Sequence, residues 1–145
     1  MYNYHTTAKT ILGDLFTPVG AYLALRDLYP QSVLMESSDY HNAENSRSFI
    51  GINPIASVAI SHGEAILKFP DNTVIKHAIT KDYTAADAIN EFLDAFNIEG
   101  ERKDICGRYG YTSFNAVRYF EDIQVKDETQ KLNDAPDMYY ILFAN

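Results

Sequence analysis

The chain has a single cysteine, Cys106, in 145 residues. One thiol cannot close an internal disulfide or build a thiolate zinc cluster, and it fits a reducing compartment, so a cytoplasmic location is expected. Basic residues are also scarce: 12 Lys and Arg stand against 20 Asp and Glu, which leaves a formal net charge of -8. Nucleic acid is not an expected partner, because proteins that bind a phosphate backbone concentrate cations on one face. No apolar run approaches the ~20 residues needed for a helical bilayer crossing, so no membrane association is expected. The N-terminus, Met1-Tyr2-Asn3-Tyr4-His5, is polar and lacks the hydrophobic region of a signal peptide.

Catalytic groupings are missing in the same way. Gly51, Gly63, Gly100, Gly107 and Gly110 are scattered and follow neither a Walker nor a dinucleotide spacing. The histidines His5, His41, His62 and His77 show no i, i+4 pair or other metal-ligand spacing. His62 falls at a turn and His77 on a strand face, where solvent exposure is expected. Cys106 beside Gly107 reads as a small packed residue, because a nucleophilic thiol needs a base and an orienting group around it. The acidic run from Asp122 to Asp137 reads as a solvated loop.

What is present is enough apolar material for one globular domain with a real core, at 46% hydrophobic residues. Thr17 is a good N-cap with Pro18 at the first helical position, and Val19, Tyr22 and Leu23 recur at helical spacing. A first helix is expected from residue 18 to Tyr29, closed by Pro30. Ser32 to Glu36 reads as a strand. From Ala56 the period becomes two, giving strands up to His62-Gly63, from Ala65 to Phe69 and, after the Pro70-Asp71-Asn72 turn, from Thr73 to Ile79: an antiparallel meander. Thr84 with Asp87 reads as a capping box, and Ile89, Phe92, Leu93 and Phe96 fall on one face of a second helix. Gly100 to Asp104 reads as a charged loop. A strand near Tyr109 to Phe114, a short helix around Val117 to Phe120 and a last strand from Met138 to Phe143 follow. The expected class is α+β, a twisted and mostly antiparallel sheet with helices packed against it, in a single domain.

One segment points to binding. Leu34-Met35-Glu36-Ser37-Ser38 puts a carboxylate and two hydroxyls at the end of an apolar run, and Arg47-Ser48-Phe49-Ile50-Gly51 follows nine residues later, with Asn53-Pro54 beyond it. Such a strand end can hold a small zwitterion by its ammonium group. A buried carboxylate needs a cation or several donors, so Glu36 is expected to find a partner in the fold or in a ligand. On residue type alone, pairing with Arg26 or Arg47, or half exposure, remains the competing reading.

The same residues carry a resemblance. Leu34-Met35-Glu36-Ser37 is similar to the "LLES" segment in the opening domain of anthranilate synthase component I, the large subunit that turns chorismate into anthranilate in tryptophan biosynthesis. Thr17-Pro18-Val19, opening a helix that ends near Tyr29-Pro30, resembles the family's "TPV…Y..LR" helix. Ser48-Phe49-Ile50-Gly51 with Asn53-Pro54 resembles "SFIG..P", and Gly110-Tyr111 with Ala116-Val117-Arg118-Tyr119-Phe120-Glu121 resembles "GY..YDAVRYFE". The segments keep the family's order and spacing over nearly the whole chain. Two departures stand out: Met35 replaces the second Leu, and Phe114-Asn115 replace Tyr-Asp. Asn115 lacks a charge that would pair with Arg118, so a packing role is expected for Val117 to Glu121.

The resemblance implies that residues 1–145 are the N-terminal regulatory domain, a fragment without the downstream chorismate-binding catalytic domain. It also implies a partial pocket for L-tryptophan as feedback inhibitor. Glu36 would take the ligand's ammonium, Ser37 would hydrogen-bond its polar end, and Arg47 would add positive charge near its carboxylate. Leu34 and Met35 lie beside them, and downstream residues would close over the indole. The implied partners are the chain's own catalytic domain and, through the full-length protein, the glutamine amidotransferase subunit, component II. No catalytic residue or cofactor is implied within this chain, since the family's Mg2+ belongs to the downstream domain. The corresponding domain of aminodeoxychorismate synthase component I, in folate synthesis, and a stand-alone amino-acid-binding module remain the alternatives.

Overall fold

The period-two pattern that begins near residue 56 closes into three consecutive antiparallel strands. The computed structural model describes residues 1–37, 46–123 and 135–145. Along the chain run β1 (Tyr2–Thr6), α1 (Pro18–Leu25), β2 (Val33–Met35), β3 (Phe49–Gly51), β4 (Pro54–Ser61), β5 (Glu64–Lys68) and β6 (Val74–Ala78). Then come α2 (Ala85–Asp94), β7 (Phe96–Gly100), β8 (Arg108–Thr112) and β9 (Met138–Phe143), with 3-10 segments at Lys103–Ile105 and Phe114–Tyr119. The α+β class and the mostly antiparallel sheet expected from the sequence are what the structure shows. The chain forms two compact units, residues 1–7 with 55–142 and residues 8–54 with 143–145.

The first unit holds the core. Its five-stranded sheet has the order β6-β5-β4-β9-β8. The β4–β5 ladder pairs Val58 with Leu67 and Ile60 with Ala65, so their alternate side chains share one buried face. His62 and Gly63 both have positive φ, 52° and 73°, the backbone that a two-residue hairpin turn requires. Helix α2 starts at the capping box expected from sequence: Thr84 Oγ1 accepts from the Asp87 amide at 3.2 Å, and the Asp87 carboxylate accepts from the Thr84 amide at 2.8 Å. Its buried row is Ala85, Ala88 and Phe92.

Several expectations about this region are corrected. Phe96 does not continue the α2 face; it opens β7, where its ring meets Phe92 edge-on at 5.3 Å and stacks on Tyr2 at 5.5 Å. Leu93 lies at the margin of the helix and is exposed. Strand β7 pairs in parallel with β1, from Tyr2 opposite Phe96 to Thr6 opposite Gly100, so the charged loop begins after Gly100. At Gly100, φ is 110° and a Cβ would lie 2.4 Å from the Thr6 carbonyl oxygen, so the register closes only on glycine. His77 lies on β6 as expected and is partly exposed, with its ring 4.5 Å from that of Tyr83 and its Nε2 3.6 Å from Glu91.

Of the segment expected to pack, Val117 to Glu121, Val117, Arg118 and Tyr119 are half-buried within the 3-10 turn Phe114–Tyr119, whereas Phe120 and Glu121 are exposed. Ala116 is fully buried. The Tyr119 hydroxyl accepts from the Gly63 amide at 3.2 Å and donates to the Asp137 carboxylate at 2.8 Å, which ties the β4–β5 hairpin to the approach to β9. Desolvation is the main cause that pushes the Tyr119 phenol above its ordinary pKa. Arg118 Nε donates to the Asn115 backbone carbonyl at 3.1 Å, a bond that needs no acid at position 115. Arg108 Nη2 donates to the Leu93 carbonyl near the end of α2 at 3.3 Å, and its guanidinium lies 5.6 Å from the Phe96 ring centroid. A cation there complements the negative end of the helix dipole.

The second unit is small. Thr17 Oγ1 accepts from the Gly20 amide at 3.0 Å and Pro18 opens α1, as the cap signal implies. The regular helix stops at Leu25, short of the expected Tyr29. The chain continues the turn through Leu28 and Tyr29 amides that both bond to the Leu25 carbonyl, and Pro30 prevents a further turn. The acidic run falls largely within residues 124–134, outside the described residues, as does His41.

The capping box makes a pH prediction. The Thr84 backbone and side-chain hydrogen bonds hold the Asp87 carboxyl below its ordinary pKa of 3.8. A depressed folded-state pKa stabilises the fold above the unfolded value and loses that contribution as pH falls through the folded one. Urea denaturation of the chain and of Asp87→Asn is therefore expected to show a stability gap at pH 7 that closes below about pH 4. A gap that stays constant from pH 7 to pH 3 contradicts the assignment.

Candidate functional site

Two short β-prone segments, Val33–Met35 and Phe49–Gly51, form an antiparallel ladder with Val33 opposite Gly51, Leu34 opposite Ile50 and Met35 opposite Phe49. Gly51 permits this arrangement, since a Cβ there would lie 2.7 Å from the Phe143 ring. The ladder ends at Met35–Phe49. Glu36 and Ser37 leave it on one side, and Ser46, Arg47 and Ser48 return on the other. Ser46 Oγ donates to the Ser37 carbonyl at 3.4 Å. The pairing thus brings the sequence candidates Leu34, Met35, Glu36, Ser37 and Arg47 to one end of one ladder.

Their environment corrects the premise on which Glu36 was singled out. Glu36, Ser37 and Arg47 are exposed, Met35 is 40% exposed and Leu34 is half-buried. Water satisfies an exposed carboxylate, so the desolvation penalty that would demand a partner does not arise. Arg26 pairs with Asp27 at 3.5 Å, and among the described residues neither Glu36 nor Arg47 forms an ion pair. The strand ends at Met35, so alternation does not fix how the Glu36 and Ser37 side chains diverge. Ser46 was not singled out from sequence, although it directly precedes Arg47.

The chemistry available at this end is that of a receptor for a zwitterion. A carboxylate accepts from an ammonium group, a guanidinium donates to a carboxylate, and hydroxyls serve either end. Both signs of charge lie within a few residues of the last ladder pair. Among the described residues there is no group of three or more His, Cys, Asp or Glu side chains that could hold a metal ion. Cys106 is half-buried, with Sγ 3.8 Å from the Arg102 carbonyl oxygen. Ser61 Oγ lies 2.8 Å from His62 Nδ1, a contact between adjacent residues on an exposed hairpin tip.

Comparison with known proteins gives one indication of kinship. The likeness is to anthranilate synthase component 1. The Saccharomyces cerevisiae protein of that name is 34% identical to this chain over 109 residues, covering 72% of the chain and 19% of the yeast protein. The chain therefore spans less than a fifth of the length of the relative it matches. No family model matches it. This supports a distant relationship and agrees in kind with the motif resemblance. Among the described residues no helix is long and apolar enough to cross a membrane.

If Glu36 and Arg47 are held only by solvent, removing either charge leaves the fold untouched. Glu36→Gln and Arg47→Gln are each expected to change unfolding free energy in urea by no more than about 0.5 kcal/mol. A loss above about 1 kcal/mol in either variant would reveal a partner and contradict the open arrangement.

Proposed function

We propose that this chain is the N-terminal, tryptophan-sensing domain of an anthranilate synthase component I whose catalytic domain lies downstream. The observation that carries the reading is the 34% identity to yeast anthranilate synthase component 1 over 72% of the chain. The meeting of Glu36, Ser37 and Arg47 at one ladder end supports it. In this reading Glu36 accepts the ammonium of L-tryptophan, Ser37 hydrogen-bonds its polar end, Arg47 faces its carboxylate, and Leu34 and Met35 border the ring. The site on this chain is open, so it forms half a pocket. Closure by the downstream domain would lower the local dielectric and strengthen each charged contact. The full-length protein would convert chorismate and ammonia, delivered by the glutamine amidotransferase subunit, to anthranilate and pyruvate in the cytoplasm. Magnesium would act in the downstream domain.

Inhibition follows by linkage. Tryptophan favours one arrangement of this domain against the catalytic domain only by the difference between its affinities for the two arrangements. Contacts that tryptophan makes at Glu36 and Ser37 therefore set sensitivity without setting turnover.

The test uses the protein encoded by the uninterrupted reading frame. Glu36→Gln removes the charge of a charge-assisted hydrogen bond and is expected to raise the tryptophan concentration for half-inhibition by about tenfold or more. Ser37→Phe, which fills the half-pocket, is expected to have the same effect, with turnover in the absence of tryptophan unchanged in both variants. Sensitivity equal to that of the unsubstituted protein contradicts the proposal.

A further inference from the structure

The ladder that brings Glu36 and Arg47 together has only three residue pairs, and a two-stranded pair is marginal in water without further support. Helix α1 packs against both strands. More support reaches the end of β3 from residues 143–145. Ile52 donates its amide to the Asn145 carbonyl at 2.8 Å and accepts from the Asn145 amide at 3.3 Å, and the Ala144 amide donates to the Asn53 carbonyl at 2.9 Å. Asn53 turns the chain at a φ of 58°, which asparagine tolerates, and its Nδ2 donates to Asn145 Oδ1 at 2.8 Å. A Cβ at Gly51 would lie 2.7 Å from Cδ2 and 2.9 Å from Cγ of Phe143, so the ring stands where a side chain of β3 would. Gly51 is the only glycine in β2 and β3, so no other residue of the ladder fits beneath that ring and β3 is pinned in one register. Alternation puts Gly51 and Phe49 on one face, with their partners Val33 and Met35 across from them. The Phe143 ring therefore completes the row that ends at Met35 and Phe49, the pair beyond which Glu36 and Arg47 lie.

We infer that Phe143 and Asn145 are positioning residues for the zwitterion site. By pinning β3 they fix Arg47, two residues before that strand, relative to Glu36, one residue after β2. Their action runs through the backbone of β3 and requires no contact with the ligand. Glu36 and Arg47 are exposed, so their own packing does not hold them; what fixes them is the strand from which each projects. A site that reads two opposite charges on one small molecule needs its groups held to about 0.5 Å by what lies behind them. The inference rests on the proposed tryptophan reading for what the site binds.

Tryptophan inhibition and backbone amide exchange, both measured on the protein encoded by the uninterrupted reading frame, test the inference. Gly51→Ala drives a methyl group into the Phe143 ring. Asn145→Ala removes the bond to Asn53 at an exposed position, so it serves even where Gly51→Ala fails to fold. Each variant is expected to raise the tryptophan concentration for half-inhibition, and to speed exchange of the Ile52 amide, by about fivefold or more. Strands β4 and β5 are expected to exchange as in the unsubstituted protein. Phe143→Leu gives the added methyl room, so Gly51→Ala combined with Phe143→Leu is expected to be inhibited at a lower tryptophan concentration than Gly51→Ala alone. General destabilisation would not be relieved by a second substitution in the same contact. Half-inhibition unchanged in the single variants overturns the inference, as does Ile52 exchange unchanged in them, or an effect of Gly51→Ala that Phe143→Leu does not relieve. An unsubstituted protein that tryptophan does not inhibit overturns the proposed function and this inference with it. That failure is read on the unsubstituted protein, whereas failure of the positioning role alone is read on the variants of a protein that tryptophan does inhibit.

Discussion

Strand β9 lies between β4 and β8, so the five-stranded sheet exists only when residues 138–143 pair with strands distant in sequence. Met138, Ile141 and Leu142 are buried there. The fit is close: a Cβ at Gly110 on β8 would lie 1.8 Å from the Tyr139 carbonyl oxygen, so β8 can take its place beside β9 only with glycine at that position. The Tyr119 hydroxyl, bonded at once to the Gly63 amide and to Asp137, holds the entry to β9 against the first hairpin. Placing a late strand inside the sheet, next to its β8 edge, makes the core depend on a pairing between distant parts of the chain.

The second unit has little of this internal support. Each fully buried aliphatic or aromatic side chain contributes roughly 1.5–3 kcal/mol, and every residue in the buried core cluster lies in the first unit. The β2–β3 ladder is three residues long on each side, and backbone bonds from residues 52 and 53 to residues 144 and 145 steady the segment that follows it. A short, shallow ladder of this kind leaves its end residues open to solvent. Glu36, Ser37 and Arg47 at its end are exposed, and in the proposed reading they would need a covering surface to hold a ligand firmly.

Much of the fold was legible where local chemistry decides the outcome. The Thr17 and Thr84 caps, the His62-Gly63 turn and the β4–β5–β6 meander each rest on residues within a few positions of one another, and the structure contains all of them. The β1–β7 pair was missed because it joins residues 2–6 to residues 96–100, and the Tyr2, Tyr4 alternation is too short to announce a strand. Phe96 was assigned to the helix because its spacing from Phe92 and Leu93 fits both a helical face and the first residue of a strand. The candidate site was legible as a set of residues, since Glu36 and Arg47 flank two β-prone runs that pair. Its burial was not, because exposure at a strand end depends on what packs over it and not on the strand's own sequence.

The central claim is that these residues belong to a tryptophan-regulated anthranilate synthase. The most direct measurement follows anthranilate fluorescence from chorismate, ammonium and magnesium, with and without L-tryptophan, using the unsubstituted protein encoded by the uninterrupted reading frame. The account predicts anthranilate formation that tryptophan suppresses. Absence of anthranilate, or formation indifferent to tryptophan, would contradict it.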